Sequence, residues 1–319
     1  MFASSLSFDM RSAPFGTSHA ELYAEALDMI AYADENGIEN VTLSEHHASE
    51  DGYIPVPSLL AAAAGGRTER IAITLGAIVL PLHDPVKIAE QIAVTDLICQ
   101  GRLHTILVAG CARHEFAAFR RSFGDRGELL DHGLEILVRA LAGERFMDGD
   151  REVFVRPLPP GQPKLLVGGG VRASALRAAR FGLGFWPMNE ELLPVYHDAC
   201  RDLGRSVGPI MTTAIGVHVA EDVEQGWNDI GPYILHQMRE YARISGSADD
   251  SHSPMHGLLT MEAVRASGVV QVVTPPECAE LASRGPIALL PLTGGLPPAI
   301  GWKSLELFVG KALPLTDLQ

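Results

Sequence analysis

Two kinds of segment alternate along the chain: short runs that are apolar at almost every position, and longer stretches whose apolar positions recur every three or four residues. The short runs predict strands over residues 3–8, 38–43, 71–80, 103–108, 164–167, 183–187, 210–219, 269–273 and 287–291. The periodic stretches predict helices over 19–36, 58–65, 85–99, 115–141, 173–181, 190–203, 222–238, 261–266, 276–283 and 303–312. In the first helix Leu22, Ala26, Met29 and Ile30 share one face, with Gly37 placed to end it, and Pro85 opens the third. Residues 143–162, with Pro157, Pro159 and Pro160, read as an extended connection, and the polar stretch 244–257 as an inserted loop.

Strands that are apolar on both faces and separated by helices specify a parallel sheet covered by helices. About eight strand–helix units point to an α/β fold closed into a single (β/α)8 barrel with insertion loops. A doubly wound sheet is the alternative, disfavoured because no G-x-G-x-x-G opens the first helix. With no internal repeat, low-complexity tract or linker, residues 1–319 read as one domain.

Composition narrows the function. A hydrophobic fraction of 47% with only 6% aromatics describes a core of Ala, Leu, Ile and Val. A net charge of −14 without any dense Lys/Arg cluster excludes a nucleic-acid partner. Cys99, Cys111, Cys200 and Cys278 show no C-x-x-C spacing, which argues against a disulfide framework or structural zinc and fits a reducing cytoplasm. The N-terminus lacks a signal-peptide pattern, and the longest apolar stretch, 71–82, is about half a membrane span. The expectation is a soluble, cytoplasmic protein with no membrane partner.

Candidate chemistry lies in three places. Ser44-Glu45-His46-His47 follows a buried strand and precedes Asp51-Gly52-Tyr53-Ile54-Pro55-Val56-Pro57. Ionisable groups are costly to hold at the end of an apolar strand, which in a barrel is where chemistry is assembled. Adjacent residues of a strand point to opposite faces, so His46 and His47 do not chelate one ion together, and a metallohydrolase would want His-x-His. One histidine is left as a proton donor or acceptor; histidines merely hydrogen-bonded at a strand end are the alternative. The second place is Val167-Gly168-Gly169-Gly170-Val171-Arg172-Ala173-Ser174, a strand running through three glycines into a helix. It reads either as a phosphate loop, with Arg172 and Ser174 as added donors, or as a tight turn. The third is Gly76-Ala77 inside a buried strand, where a flat ligand, a bulge or close helix packing would each use the missing side chain.

Taken together, these segments resemble the luciferase-like flavin-dependent oxidoreductases, the superfamily of bacterial luciferase, over nearly the whole chain. The resemblance includes Ser44-Glu45-His46-His47, the stretch from Gly76 through Pro81-Leu82-His83-Asp84-Pro85 to Ala89-Glu90-Gln91, and Leu97-Ile98-Cys99-Gln100-Gly101-Arg102-Leu103. It continues through Val167-Gly168-Gly169-Gly170, Pro291-Leu292-Thr293-Gly294-Gly295-Leu296-Pro297-Pro298 and Trp302-Lys303-Ser304-Leu305-Glu306-Leu307-Phe308.

The resemblance implies a TIM barrel with a flavin at its C-terminal mouth. It places a non-proline cis peptide at Gly76–Ala77 against the flavin ring and the flavin phosphate at Gly168, Gly169 and Gly170. His46 matches the family's catalytic histidine, with Glu45 beside it. Many FMN-using relatives carry an arginine just after the fourth strand; here that position is Ala109, which leaves the phosphate to Gly169, Gly170, Arg172 and Ser174. The implied activity is a two-component monooxygenase taking reduced FMN from a separate flavin reductase, and O2, to oxygenate a small organic substrate. Ala109 makes an F420-dependent dehydrogenase or reductase the rival, and a flavin-binding homologue without turnover a third reading. Substrate contacts would fall on loops 50–57 and 244–257, with His252 and His256. Relatives commonly pair through helices near the second and third strands, implying a homodimer.

Overall fold

The computed structural model describes residues 2–245 and 257–316. His252 and His256, and with them most of the expected loop 244–257, lie outside the described residues.

The chain divides into two compact units, each drawn from discontinuous stretches. The first comprises Met1–Pro55, Arg67–Ile71 and Thr213–Gln319; the second comprises Val56–Gly66 and Ala72–Thr212. With elements numbered along the whole chain, the first unit holds strands β1 (Ser4–Phe8), β2 (Asn40–Leu43), β9 (Ile215–Val219), β10 (Val270–Val273) and β11 (Ile287–Leu289). They lie in the order β10-β9-β11-β1-β2, parallel throughout. Helices α1 (His19–Glu35), α8 (Val223–Ser245), α9 (Met261–Ser267), α10 (Pro275–Arg284) and α11 (Pro298–Leu307) belong to this unit.

The second unit has β3 (Ala72–Val79), β4 (Leu103–Val108), β7 (Lys164–Gly169) and β8 (Gly184–Pro187), parallel and in that order. Its helices are α2 (Pro57–Gly65), α3 (Pro85–Ile98), α4 (Arg113–Ala118), α5 (Arg126–Leu141), α6 (Arg172–Phe181) and α7 (Leu192–Asp202). The expected class, parallel strands alternating with helices, is present. β3 is buried along nearly its whole length, as a strand covered on both faces must be.

Local chemistry sets the element ends. Asp84 caps α3, its carboxylate accepting from the backbone N–H of Val86 at 2.8 Å and of Lys87 at 3.3 Å. The expected helix 115–141 is two helices, α4 and α5, separated by a stretch in which Arg120 takes a left-handed φ of +54°. The expected extended connection 143–162 contains an antiparallel hairpin, β5 (Arg145–Asp148) with β6 (Arg151–Phe154). Its two-residue turn uses Gly149 at φ +62°, the conformation such turns demand. The strand expected at 210–219 is regular only from Ile215; Ile210 makes a single bridge to Phe185. α8 runs seven residues beyond the predicted Met238, continuing through Pro232 to Ser245.

Candidate active site

In the first unit β1 pairs with β2 in the register Phe8↔Leu43, so the residues after each strand emerge side by side. After β2 come Ser44, Glu45, His46 and His47; after β1 come Asp9, Met10 and Arg11. Glu45 and His47 are both buried and meet at 3.0 Å between Oε1 and Nε2. His46, between them in sequence, packs elsewhere. Its ring is edge-on to Tyr53 (centroids 4.7 Å, planes 85°) and to Tyr241 of α8 (6.1 Å, 72°), and the His46 backbone N–H donates to the Ile54 carbonyl. The alternation expected at a strand end therefore holds in the contacts: Glu45 pairs with His47, and His46 lies in an aromatic corner.

Charge surrounds that corner. The Arg11 side chain is fully buried, with Nε 3.3 Å from Asp9 Oδ2 and Nη1 3.3 Å from Asp51 Oδ2. Gln237 Nε2 donates to Asp9 at 2.8 Å, and His236 meets Asp51 at 3.0 Å. Burial raises the Asp9 carboxyl despite Arg11 beside it. Burial alone would also raise Asp51, but the His236 hydrogen bond, the Arg11 charge and the Ser49 hydroxyl together hold it below the usual carboxylate value. Tyr53 and Tyr241 share a hydrogen bond of 3.0 Å between hydroxyls, and burial pushes Tyr53 well above, and Tyr241 above, the usual phenol value. Both rings are neutral hydrogen-bonding walls at physiological pH.

The cofactor-binding candidates gather in the second unit. The Gly76–Ala77 peptide in β3 is cis, and the ladder to β4 skips a residue between Gly76 and Ile78. Ala109 follows β4. Gly168 lies where a Cβ would sit 2.8 Å from Ile106 and 2.9 Å from Val108, so the end of β7 packs directly on β4. Gly169 has φ +153°, and a Cβ there would be 2.9 Å from Ser174. Gly170 and Val171 lead into α6, whose N-cap Val171 offers no side-chain acceptor. The Ser174 hydroxyl donates to the Val171 carbonyl at 2.6 Å, so its proton is already engaged within the first turn. Arg172 is exposed and has no ion-pair partner among the described residues.

The structure thus collects Gly76, Ala77, Ala109, Gly168, Gly169, Gly170, Arg172 and Ser174 on one unit, and Glu45 and His46 on the other. Sequence reasoning passed over Asp9, Arg11, His236 and Tyr241, and gave Asp51 only a place in the substrate loop. The first two carried a signal: Asp9-Met10-Arg11 is a charged tripeptide at the end of an apolar strand, the feature that singled out Ser44-Glu45-His46-His47.

The model of one protein family, luciferase-like monooxygenase, matches residues 5–281. The chain belongs to the luciferase-like monooxygenase family. Among curated members it is similar to limonene 1,2-monooxygenase of Rhodococcus erythropolis, 25% identical over 262 residues, or 73% of this chain and 65% of that one. The first curated relatives are matched over only 56% to 66% of their own length. Among solved structures, monooxygenase RslO1 from Streptomyces bottropensis superposes with a TM-score of 0.81 at 26% identity, covering 98% of each chain. The oxygenating constituent of 3,6-diketocamphane monooxygenase from Pseudomonas putida, solved with FMN, superposes at 0.73 over 99% of each chain; at 20% identity that likeness is one of fold.

Proposed function

We propose that the chain is the oxygenase component of a two-component monooxygenase that takes reduced FMN and O2 and oxygenates a small organic substrate. The observation that carries this reading is His46: a half-buried imidazole just past a parallel strand, in a chain of the luciferase-like monooxygenase family. A reduced flavin, when bound, supplies the electrons with which O2 is activated.

The residues of the second unit suit such a group in their chemistry. The glycines at 168 and 169 leave no Cβ on the backbone ahead of α6, and that helix starts without a side-chain cap, with the exposed Arg172 in its first turn. Gly169, Gly170 and Arg172 would hold the phosphate, with Ser174 backing the turn. His46 would take and return the proton at its ring nitrogen. Tyr53 and Tyr241, neutral and bonded to each other, would keep bulk water off that ring. Glu45, already bonded to His47, would fix the neighbouring backbone.

The test combines binding with turnover. Titration with FMN and with F420 is expected to favour FMN, and a flavin reductase with NADH should support O2-dependent product formation. His46→Ala is expected to keep FMN affinity while losing about 100-fold in kcat. Wild-type turnover by that variant would remove His46 from the reaction. Ala109 favours one second reading, hydride transfer with F420; tight F420 binding with no O2 consumption would establish it. A homodimer is a further proposal, measurable by light scattering.

A further inference from the structure

Arg11 has no part in the function proposed above, yet it is among the largest fully buried side chains. Keeping a guanidinium there is costly: among the described residues Nε and Nη2 have no hydrogen-bond partner, and Asp9 is raised toward its neutral form by burial. Buried ion pairs are often no more stabilising than well-packed apolar residues of the same volume, so fold stability alone does not account for it. What an arginine offers and an apolar side chain does not is a flat cation that stacks on aromatic faces. The Arg11 guanidinium carbon lies 4.5 Å from the ring centroid of Tyr53 and 4.6 Å from that of Tyr241. These are the two rings against which His46 is set edge-on.

We infer that Arg11 is a positioning residue that fixes the orientation of the His46 ring by clamping Tyr53 and Tyr241. Asp9 and Asp51 hold the guanidinium from β1's end and from the loop after β2, and Gln237 ties Asp9 to α8. The two tyrosine hydroxyls, bonded to each other, lock the rings as a pair. His46 then has one edge-on seat. The inference rests on reading His46 as the acid–base group, and it adds the residue that holds that group still.

Arg11→Lys separates the two roles of the side chain, since lysine keeps a cation for Asp9 and Asp51 but has no flat face to stack. Circular dichroism first establishes that the variant folds. In the NMR spectrum of the cofactor-free protein, the His46 ring signal is expected to be displaced by the tyrosine rings, and in Arg11→Lys to move back toward the value of a free histidine. In turnover, kcat is expected to fall about tenfold while KM stays within about twofold, the signature of a mispositioned group and not of lost binding. Tyr241→Leu should do the same, and the double variant should be no worse than either single, because both changes act through one clamp. An unmoved His46 signal in Arg11→Lys, or kcat losses that multiply in the double variant, would overturn the inference. If Arg11→Lys does not fold, Asp51→Asn, which weakens one anchor of the guanidinium and leaves both rings in place, decides by the same signal: moved toward the free value for, unmoved against. The spectroscopic arm needs no flavin and no turnover, so a failure of the proposed activity is recognised separately.

Discussion

Asp34 shows how one side chain can organise a turn. Its carboxylate accepts from the backbone N–H groups of Glu69 at 2.9 Å, Arg70 at 2.8 Å and Ile71 at 2.6 Å, all within the first unit. Burial would raise this carboxyl, but the three N–H donors outweigh it and hold it below the usual carboxylate value. A depressed folded value means that its stabilisation is present above the ordinary carboxylate range and lost as pH falls through the folded value. Asp34→Ala leaves three donors unmatched and is expected to cost about 3 kcal/mol in urea unfolding at pH 7, with a smaller loss near pH 3. An equal loss at both pH values would show that the charge is irrelevant. At this scale the sequence spoke clearly where neighbours in sequence are neighbours in space: Glu45, His46 and His47 announce themselves. Arg11 showed its charge at a strand end but not its role, because its partners Asp51, Gln237 and Tyr241 are brought to it by the fold; its contact to the Gln237 carbonyl spans 226 residues.

Among the elements, the hairpin β5–β6 and helix α3 illustrate a link that patterning could not supply. Asp84 serves α3 as its N-cap with one oxygen and takes Arg151 of β6 at 2.6 Å with the other. The pair is half-exposed, so the ion pair itself adds little. The capping bonds dominate, and Asp84→Ala is expected to cost about 1 kcal/mol, whereas Arg151→Ala should cost about half that or less. Equal losses would reverse this ranking. The hairpin was readable in Asp148-Gly149-Asp150, a turn signal between two short runs, but the prolines that follow drew the reading toward an extended chain. α8 was underestimated for a different reason. Beyond Met238 its sequence turns polar, Arg239-Glu240-Tyr241-Ala242-Arg243, and the apolar period that predicts helices fades where the helix holds Tyr241 against Tyr53.

For the molecule as a whole, two histidines, His218 buried and His104 half-buried, add to the response to acid. His104 on β4 is lowered to about 4 by burial and by the Lys164 charge on the adjoining strand, and His218 on β9 is lowered to about 4, chiefly by burial. Both are depressed below the ordinary histidine value of 6.5, so the unfolded chain takes up the protons first. Stability should therefore decline as pH falls from about 6.5 toward 4, each unit losing one histidine's share. The melting temperature is expected to drop across that range and to drop less in His104→Gln/His218→Gln; an unchanged slope would exclude these groups as the cause. The parallel α/β class was legible from the continuous apolar runs, because a strand covered on both faces has no polar side to show. The division into two units was not, since each is assembled from stretches far apart in the sequence, and composition changes at none of their borders. Among the described residues no helix is long and apolar enough to cross a membrane.

The pairing of β1 with β11, in register from Ser4↔Ile287, has a consequence for the order in which the protein can be made. Translation is directional, and at roughly 10 residues per second the ribosome delivers Tyr241 and Gln237 more than about 20 s after Arg11. Through that interval β1 has no β11 to lie against, and a guanidinium destined for complete burial stays in water. The second unit's segments are all synthesised before residue 213, so its strands can pair while the first unit still waits for the last third of the chain. Nascent chains arrested before α8 should thus remain open to trypsin at Arg11 long after cleavage at Arg102, just ahead of β4, and at Lys164 of β7 has ceased.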